Sequence, residues 1–366
     1  MSTHYTGVLQ RSARGRWQLR DPKRSFRPGP DDVLVPPGLI AKADLMPGAT
    51  VTGRVRENRG RRELADVESV CGLSPDEFRS RKRFRDLVAI DPEERFPLGA
   101  GGEMTLRIID LLAPIGRGSR CLVVSPAKAG KTTILEQIGR SIHEQQPDVR
   151  LLALLVDERP EEVTHFRRAV PAEVLASSND QSYEEHVALA ETTLACIQTE
   201  LECGRNIVLL VDSLTRMGRA FNLKGSGTGR TMSGGLEAGA LEIPRRFFGL
   251  ARNVEHGGSV TIIATILVDT GSRMDQLIFE EFKGTGNSEI VLDRALAEAR
   301  IFPALHISRS GTRKEERLYP PEIIQRLAKL RRVLSERKPE TAMRSLITSL
   351  ANYSTNEEFL KTIPIG

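Results

Sequence analysis

Cys121-Leu-Val-Val-Ser-Pro-Ala-Lys-Ala-Gly-Lys-Thr-Thr133, continued by Ile134-Leu-Glu-Gln-Ile-Gly-Arg-Ser-Ile142, decides the fold. It reads as an apolar strand, a loop of small residues and a helix. Gly130-Lys131-Thr132 matches the end of a phosphate-binding loop, G-x-x-x-x-G-K-[ST], with Ser125 at the position of the first glycine. A glycine at 130 lets the backbone approach a phosphate with no Cβ in the way. Loop amides and the N-terminus of the following helix then hold the anion. Lys131 is placed to reach the β- and γ-phosphates of ATP, and Thr132 to offer its hydroxyl to Mg²⁺. The competing reading of this segment is an ordinary strand-to-helix turn.

Outward from this loop, strands are expected at 121–125, 151–157, 173–177, 206–212, 259–267 and 288–292, with helices at 131–145, 159–169 and 182–203. Continuous apolar strands separated by helices predict a mostly parallel sheet covered on both faces. The strand Asn206-Ile-Val-Leu-Leu-Val-Asp212 ends in a carboxylate suited to the Mg²⁺ shell, the role of a Walker-B Asp. Leu151-Leu-Ala-Leu-Leu-Val-Asp157-Glu158-Arg159-Pro160 delivers two more carboxylates to a strand end. Glu158 is the candidate to orient or deprotonate the attacking water. Asp157 and Glu158 could instead simply favour the N-terminus of the helix that Pro160 starts. Arg313, in the polar stretch 308–317, is a candidate arginine finger, which a ring of protomers would supply from a neighbour. Two glycine-rich loops with basic residues, 222–235 and 280–286, suit either a sugar-phosphate backbone or plain mobile connections.

The N-terminal part differs in kind. Five short strands, around Gly7, Trp17, Val33, Thr50 and Leu64–Val70, separated by Gly- and Pro-rich turns, suit an OB-type barrel over 1–70. Residues 1–90 hold 18 Lys/Arg against 11 Asp/Glu, whereas the whole chain carries a net charge of +5. A basic excess confined to one end suits a polyanion-binding module, although it also fits a solubilising surface. Tyr5, Trp17 and Phe26 are the aromatic residues available there for stacking on bases. Residues 71–104 read as a linker with a basic run, Arg79–Arg85, and 105–366 as the ATPase domain.

At 366 residues the chain can bury a large core, and its apolar runs are too short to span a bilayer. No apolar signal segment opens it, so a cytoplasmic location is expected and no membrane partner. Four cysteines without metal-type spacing suggest reduced thiols. The scattered histidines add no metal set beyond the Mg²⁺ that accompanies a nucleotide.

Taken in order, Ala113-Pro-Ile-Gly-Arg-Gly, Pro126-Ala-Lys-Ala-Gly-Lys-Thr, Val156-Asp-Glu-Arg-Pro-Glu-Glu-Val-Thr, Asp212-Ser-Leu-Thr-Arg, Arg246-Phe-Phe-Gly, Glu281-Phe-Lys-Gly-Thr-Gly-Asn and Arg309-Ser-Gly-Thr-Arg-Lys-Glu-Glu closely resemble the bacterial transcription termination factor Rho family. The resemblance runs through about 105–360 and includes the loop lacking its first glycine. It implies an α/β RecA-like P-loop ATPase core behind an N-terminal OB-like β-barrel domain, assembled as a hexamer. It further implies ATP-driven translocation on RNA, unwinding of RNA–DNA hybrids and release of transcripts from the RNA polymerase elongation complex. Carried over by position, Lys128, Ala129, Gly130, Lys131, Thr132, Thr133, Arg159 and Asp212 would bind nucleotide, with Thr132 and Asp212 on the metal. Glu158, Lys131 and Arg313 would be catalytic. Arg300 would sense nucleotide and Phe302 would stack on adenine. RNA would be gripped by Arg230, Thr231, Met232, Ser233 and Gly234 in one channel loop and by Lys283 and Gly284 in another, with Arg16 and Trp17 on the barrel. The barrel departs from the family: the aromatic Gly-Phe-Gly-Phe segment is Gly15-Arg16-Trp17-Gln18 here, and Leu34 stands where a tyrosine is usual. Two other readings remain at this stage: a rotary or secretion ATPase of the same fold class, and an RNA-binding regulator whose ring does not unwind.

Overall fold

The computed structural model describes residues 3–12, 15–58, 60–225, 235–237 and 239–365. The basic end folds first. Strands β1 (Thr3–Arg11), β2 (Trp17–Arg20), β3 (Val33–Leu34), β4 (Thr50–Asn58) and β5 (Arg61–Leu64) pair in the order β1-β2-β3-β5-β4, and β1 pairs again with β4 to close the barrel. Helix α1 (Pro37–Lys42) fills the β3–β4 connection, and β6 (Ser69–Val70) adds to the edge of β4. Alternate residues Leu9, Leu19, Val33, Val51, Val55 and Leu64 point inward and form the barrel core. Closure leaves few exposed strand edges. The expected strand over Leu64–Val70 is divided: β5 pairs across the turn with β4, and the chain then leaves the ladder where Asp66 turns to accept from the Arg54 backbone and guanidinium.

From β7 (Ala89–Ile90) the chain enters the larger layer. After α3 (Met104–Leu112) the strands are β8 (Arg120–Ser125), β9 (Arg150–Glu158), β10 (Glu173–Ser178), β11 (Asn206–Asp212), β12 (Arg252–Val254), β13 (Ser259–Leu267), β14 (Ser288–Val291) and β15 (Gly311–Thr312). Their order is β10-β9-β11-β13-β8-β14-β15, parallel except for β15, with β12 antiparallel beside β13 and joined to β7. Helices α4 (Lys131–Gln145), α5 (Pro160–Ala169), α6 (Tyr183–Glu202), α7 (Leu214–Gly225), α8 (Glu242–Gly249) and α9 (Arg273–Lys283) return the chain between strands, and α10 (Arg294–Glu298) follows β14. Two apolar clusters cover the two faces of this sheet, as its unbroken Val/Ile/Leu strands require. Helices α11 (Pro321–Ser335), α12 (Pro339–Leu350) and α13 (Asn356–Lys361) close one face by packing onto α3.

The barrel is joined to this layer by buried polar contacts. Gly48, at φ +86°, lies so close to the backbone of α6 that a Cβ would stand 2.2 Å from the Ala195 carbonyl carbon. Helix α2 (Pro75–Ser80) buries Phe78 in the barrel core, and Arg81 just after it stacks on that ring and pairs with Glu202 at 3.0 Å, both side chains buried. The Phe84 amide donates to the same carboxylate at 2.9 Å. Arg81 therefore lies inside the seam, whereas a run of basic residues usually forms a solvated face.

Candidate active site

The site grows from the carboxyl edge of the parallel sheet, where strand ends and helix starts leave a crevice. Strand β8 ends at Ser125, the loop turns through Lys128 at φ 64° and Gly130 at φ 98°, and α4 begins at Lys131. A Cβ at Gly130 would meet nothing within 4 Å, so the position needs glycine for its left-handed backbone and leaves open space for a ligand. Lys128 and Thr133 are exposed at this loop, and Ala129 is buried beneath it.

Asp212 ends β11, two strands from β8, with β13 between them. The Lys131 ammonium lies 2.6 Å from both Asp212 oxygens and 3.5 Å from Glu158 Oε1. Thr265, at the end of β13, donates its hydroxyl to Asp212 Oδ1 at 2.7 Å. Burial alone would push the Lys131 pKa down; the charges of Asp212 and Glu158 outweigh it and hold the pKa above the ordinary lysine value. Thr132 Oγ1 is 3.5 Å from Asp212 Oδ2. A hydroxyl and a carboxylate oxygen at this separation are hard donors that fit Mg²⁺, which keeps its other positions for phosphate oxygens and water. Among the described residues no cluster of three or more His, Cys, Asp or Glu side chains offers an all-protein metal cage.

Glu158 ends β9, the neighbour of β11, and is 3% exposed. Burial, then the nearby Asp212 charge, push its carboxyl up to about 8, against the opposing pull of Lys131 and Arg216. A buried carboxyl beside a phosphate loop, with a pKa moved toward neutrality, has the character of a general base. Only its ionised form accepts a proton. The kcat/KM for ATP hydrolysis is therefore expected to climb almost tenfold per pH unit below about 8 and then level off. A profile flat between about pH 6 and 9 would show that no such proton is lost.

Two contributors carry no role in the sequence reading. Arg216, in the first turn of α7, places Nε 3.1 Å from Glu158 and donates from Nη1 to the Asp157 carbonyl at 2.6 Å. It closes the run Asp212-Ser-Leu-Thr-Arg216 that leads from β11 into α7, and that place beside a strand-end carboxylate was the available signal. Thr265 had none, because only the strand order shows that β13 lies between the two site strands.

The remaining candidates are spread over the molecule. Arg159 is the exposed residue before α5. Arg300 and the half-exposed Phe302 follow α10, where the bridge between Leu292 and Leu305 keeps them beyond the carboxyl end of β14, the neighbour of β8. Arg313 is at the other end of the sheet: its amide bonds to the Asn287 carbonyl next to the start of β8, so it does not face its own phosphate loop. Lys283 and Gly284 end α9, with the exposed Lys283 ammonium 5.6 Å from the Phe279 ring. Arg230, Thr231, Met232, Ser233 and Gly234 lie outside the described residues. On the barrel, Arg16 is exposed and Trp17 half-buried with Arg11 5.8 Å over its ring. Phe26 is not available for stacking: it is 5% exposed and packs into the core of the large sheet.

Comparison with known proteins agrees with this geometry. The model of the ATP synthase alpha/beta family nucleotide-binding domain matches residues 105–312, and that of the Rho termination factor RNA-binding domain matches 5–76. The first span holds the whole crevice, and the second holds the barrel. Transcription termination factor Rho of Aquifex aeolicus is 47% identical over 98% of this chain and 84% of its own length. The protein of the same name from Haemophilus influenzae is 44% identical over 98% and 87%. A type III secretion system ATPase of pathogenic bacteria superposes with a TM-score of 0.64 at 22% identity, covering 85% of this chain and 93% of that one. The assembled ATPase EscN of enteropathogenic E. coli gives 0.63 at 17% identity, covering 99% and 97%. At those identities the two structures speak for the fold, a RecA-like P-loop core. No helix among the described residues is long and apolar enough to cross a membrane.

Proposed function

The chain belongs to the transcription termination factor Rho family, and from that premise we propose that it is an ATP-driven RNA translocase and RNA–DNA helicase. In this reading it works as a hexameric ring in the cytoplasm and releases nascent RNA from the RNA polymerase elongation complex. The observation that carries the reading is the joint presence, in one chain, of the Lys131–Asp212–Glu158 crevice and a closed basic barrel.

The chemistry follows from the crevice. Loop amides and the start of α4 receive the phosphates of ATP, and Lys131 exchanges Asp212 for the β- and γ-phosphate oxygens. Thr132 and Asp212 would hold Mg²⁺, which would supply positive charge to offset that of the phosphates. Glu158, ionised, takes a proton from the attacking water, with Arg216 fixing the carboxylate's direction. Phe302 offers a face to adenine and Arg300 sits beside it. Arg313 faces away from its own site and reaches the γ-phosphate held by the next protomer. Arg230 to Gly234 and Lys283–Gly284 grip RNA in the channel, and Arg16 and Trp17 contact it on the barrel.

Transcript release tests the reading. Stalled elongation complexes held on beads are expected to shed RNA when the protein and ATP are added, and to keep it with Glu158→Gln. RNA retained in both cases, from a protein that hydrolyses ATP, would leave a motor without this task.

A further inference from the structure

Two cavities meet at the seam between barrel and ATPase core. One, of about 390 Å³, is lined by Lys23, Arg24 and Arg27 from the barrel side and by Arg167 and Pro160 from α5, and no carboxylate is in its wall. The other, of about 220 Å³, has Arg11, Arg20 and the carboxylate of Glu185 in its wall and shares Ser25, Arg27 and Ala176 with the first. Together they form one groove from the barrel strands to the start of α5.

Several arginines of this protein lie in ion pairs: Arg81 with Glu202, Arg117 with Asp148, Arg150 with Glu173, Arg331 with Glu315. Arg20 in the smaller cavity is likewise held by Asp32. Lys23, Arg24, Arg27 and Arg167 differ, with no ion pair among the described residues. Arg24 donates to the Pro28 carbonyl at 3.2 Å, Arg27 bonds to Gln181, and the charge of Arg27 is felt by Asp180 and Glu185. Three of the four thus converge on a concavity with their charge uncompensated. Such an arrangement costs self-repulsion unless an anion enters. Pro160 adds the positive end of the ten-residue helix α5 to the same wall.

We propose that this groove binds the backbone phosphates of an RNA segment passing from the barrel toward the ATPase core. The assignment rests on the RNA-motor reading above. Single-stranded RNA is favoured over a free anion because the cationic cavity opens into the second one, whose wall reaches the barrel strand where Arg11 lies over Trp17, a face on which a base can stack. Charge from both domains is needed, since Arg167 belongs to α5. That helix starts two residues after Glu158 and carries Glu162, which helps to raise the Glu158 pKa. RNA seated in the groove therefore touches the element next to the general base.

The test uses the full chain with Lys23→Ala, Arg24→Ala and Arg167→Ala combined; Arg27 is kept because it supports the seam through Gln181. Fluorescence anisotropy follows unstructured oligoribonucleotides of about 8 and about 20 nucleotides over a range of salt. The triple variant is expected to bind the longer RNA about tenfold more weakly, with a salt slope lower by about 2, and the shorter one as wild type does. Arg24→Lys with Arg167→Lys is expected to restore the slope, and an unchanged melting temperature shows that the fold is intact. Wild-type affinity and slope in the triple variant would overturn the groove. Displacement of the longer RNA by inorganic tripolyphosphate far beyond its ionic-strength effect would overturn RNA as the occupant. A wild-type chain that binds neither RNA would sink the RNA-motor reading itself, a separate result.

Discussion

Glu158→Gln is expected to bind ATP as wild type does and to hydrolyse it about 10²- to 10⁴-fold more slowly, the range lost when a positioned general base is removed. The substitution keeps the shape of the buried side chain, so Lys131, Arg216 and Asp212 retain a neighbour of the same size. The amide cannot accept the water's proton. Because the wild-type carboxyl is held near pH 8 by burial and by Asp212, the variant should also lose the rise of kcat/KM toward alkaline pH. Measuring ATP affinity and single-turnover hydrolysis together separates this loss from a failure to bind. An unchanged hydrolysis rate would take Glu158 out of the role.

Arg313→Ala is expected to lower kcat by about 10³- to 10⁵-fold, as loss of an arginine finger does. Arg313 lies at the amino edge of the sheet while its own Lys131 lies at the carboxyl edge, so the effect has to cross a protomer boundary. A ring with head-to-tail contacts puts those two edges face to face. Mixing Arg313→Ala with Glu158→Gln chains is therefore expected to restore activity, because in a random ring about a quarter of the boundaries join an intact Glu158 to an intact Arg313. Mixtures no more active than either variant would place the finger elsewhere.

The large sheet was legible in the sequence because parallel strands buried on both faces become unbroken apolar runs, as in Leu151–Val156 and Ile207–Val211. The carboxylates at their ends, Glu158 and Asp212, were legible for the same reason. What the sequence hid depends on neighbours it does not state. Arg216 reaches Glu158 only after α7 turns, and Thr265 reaches Asp212 only because β13 separates β11 from β8. Phe26 and Arg81 read as surface groups for RNA or solvent, yet the barrel docks on the core so closely that both are buried. The division of Leu64–Val70 was also out of reach, since Asp66 leaves the ladder for Arg54, a partner twelve residues away.

Steady-state ATP turnover measured with and without an RNA homopolymer reads whether RNA held by this protein drives hydrolysis. Little turnover is expected from the protein alone and a large increase with RNA, lost in Glu158→Gln and reduced in Lys283→Ala. The same rate with and without RNA would contradict it.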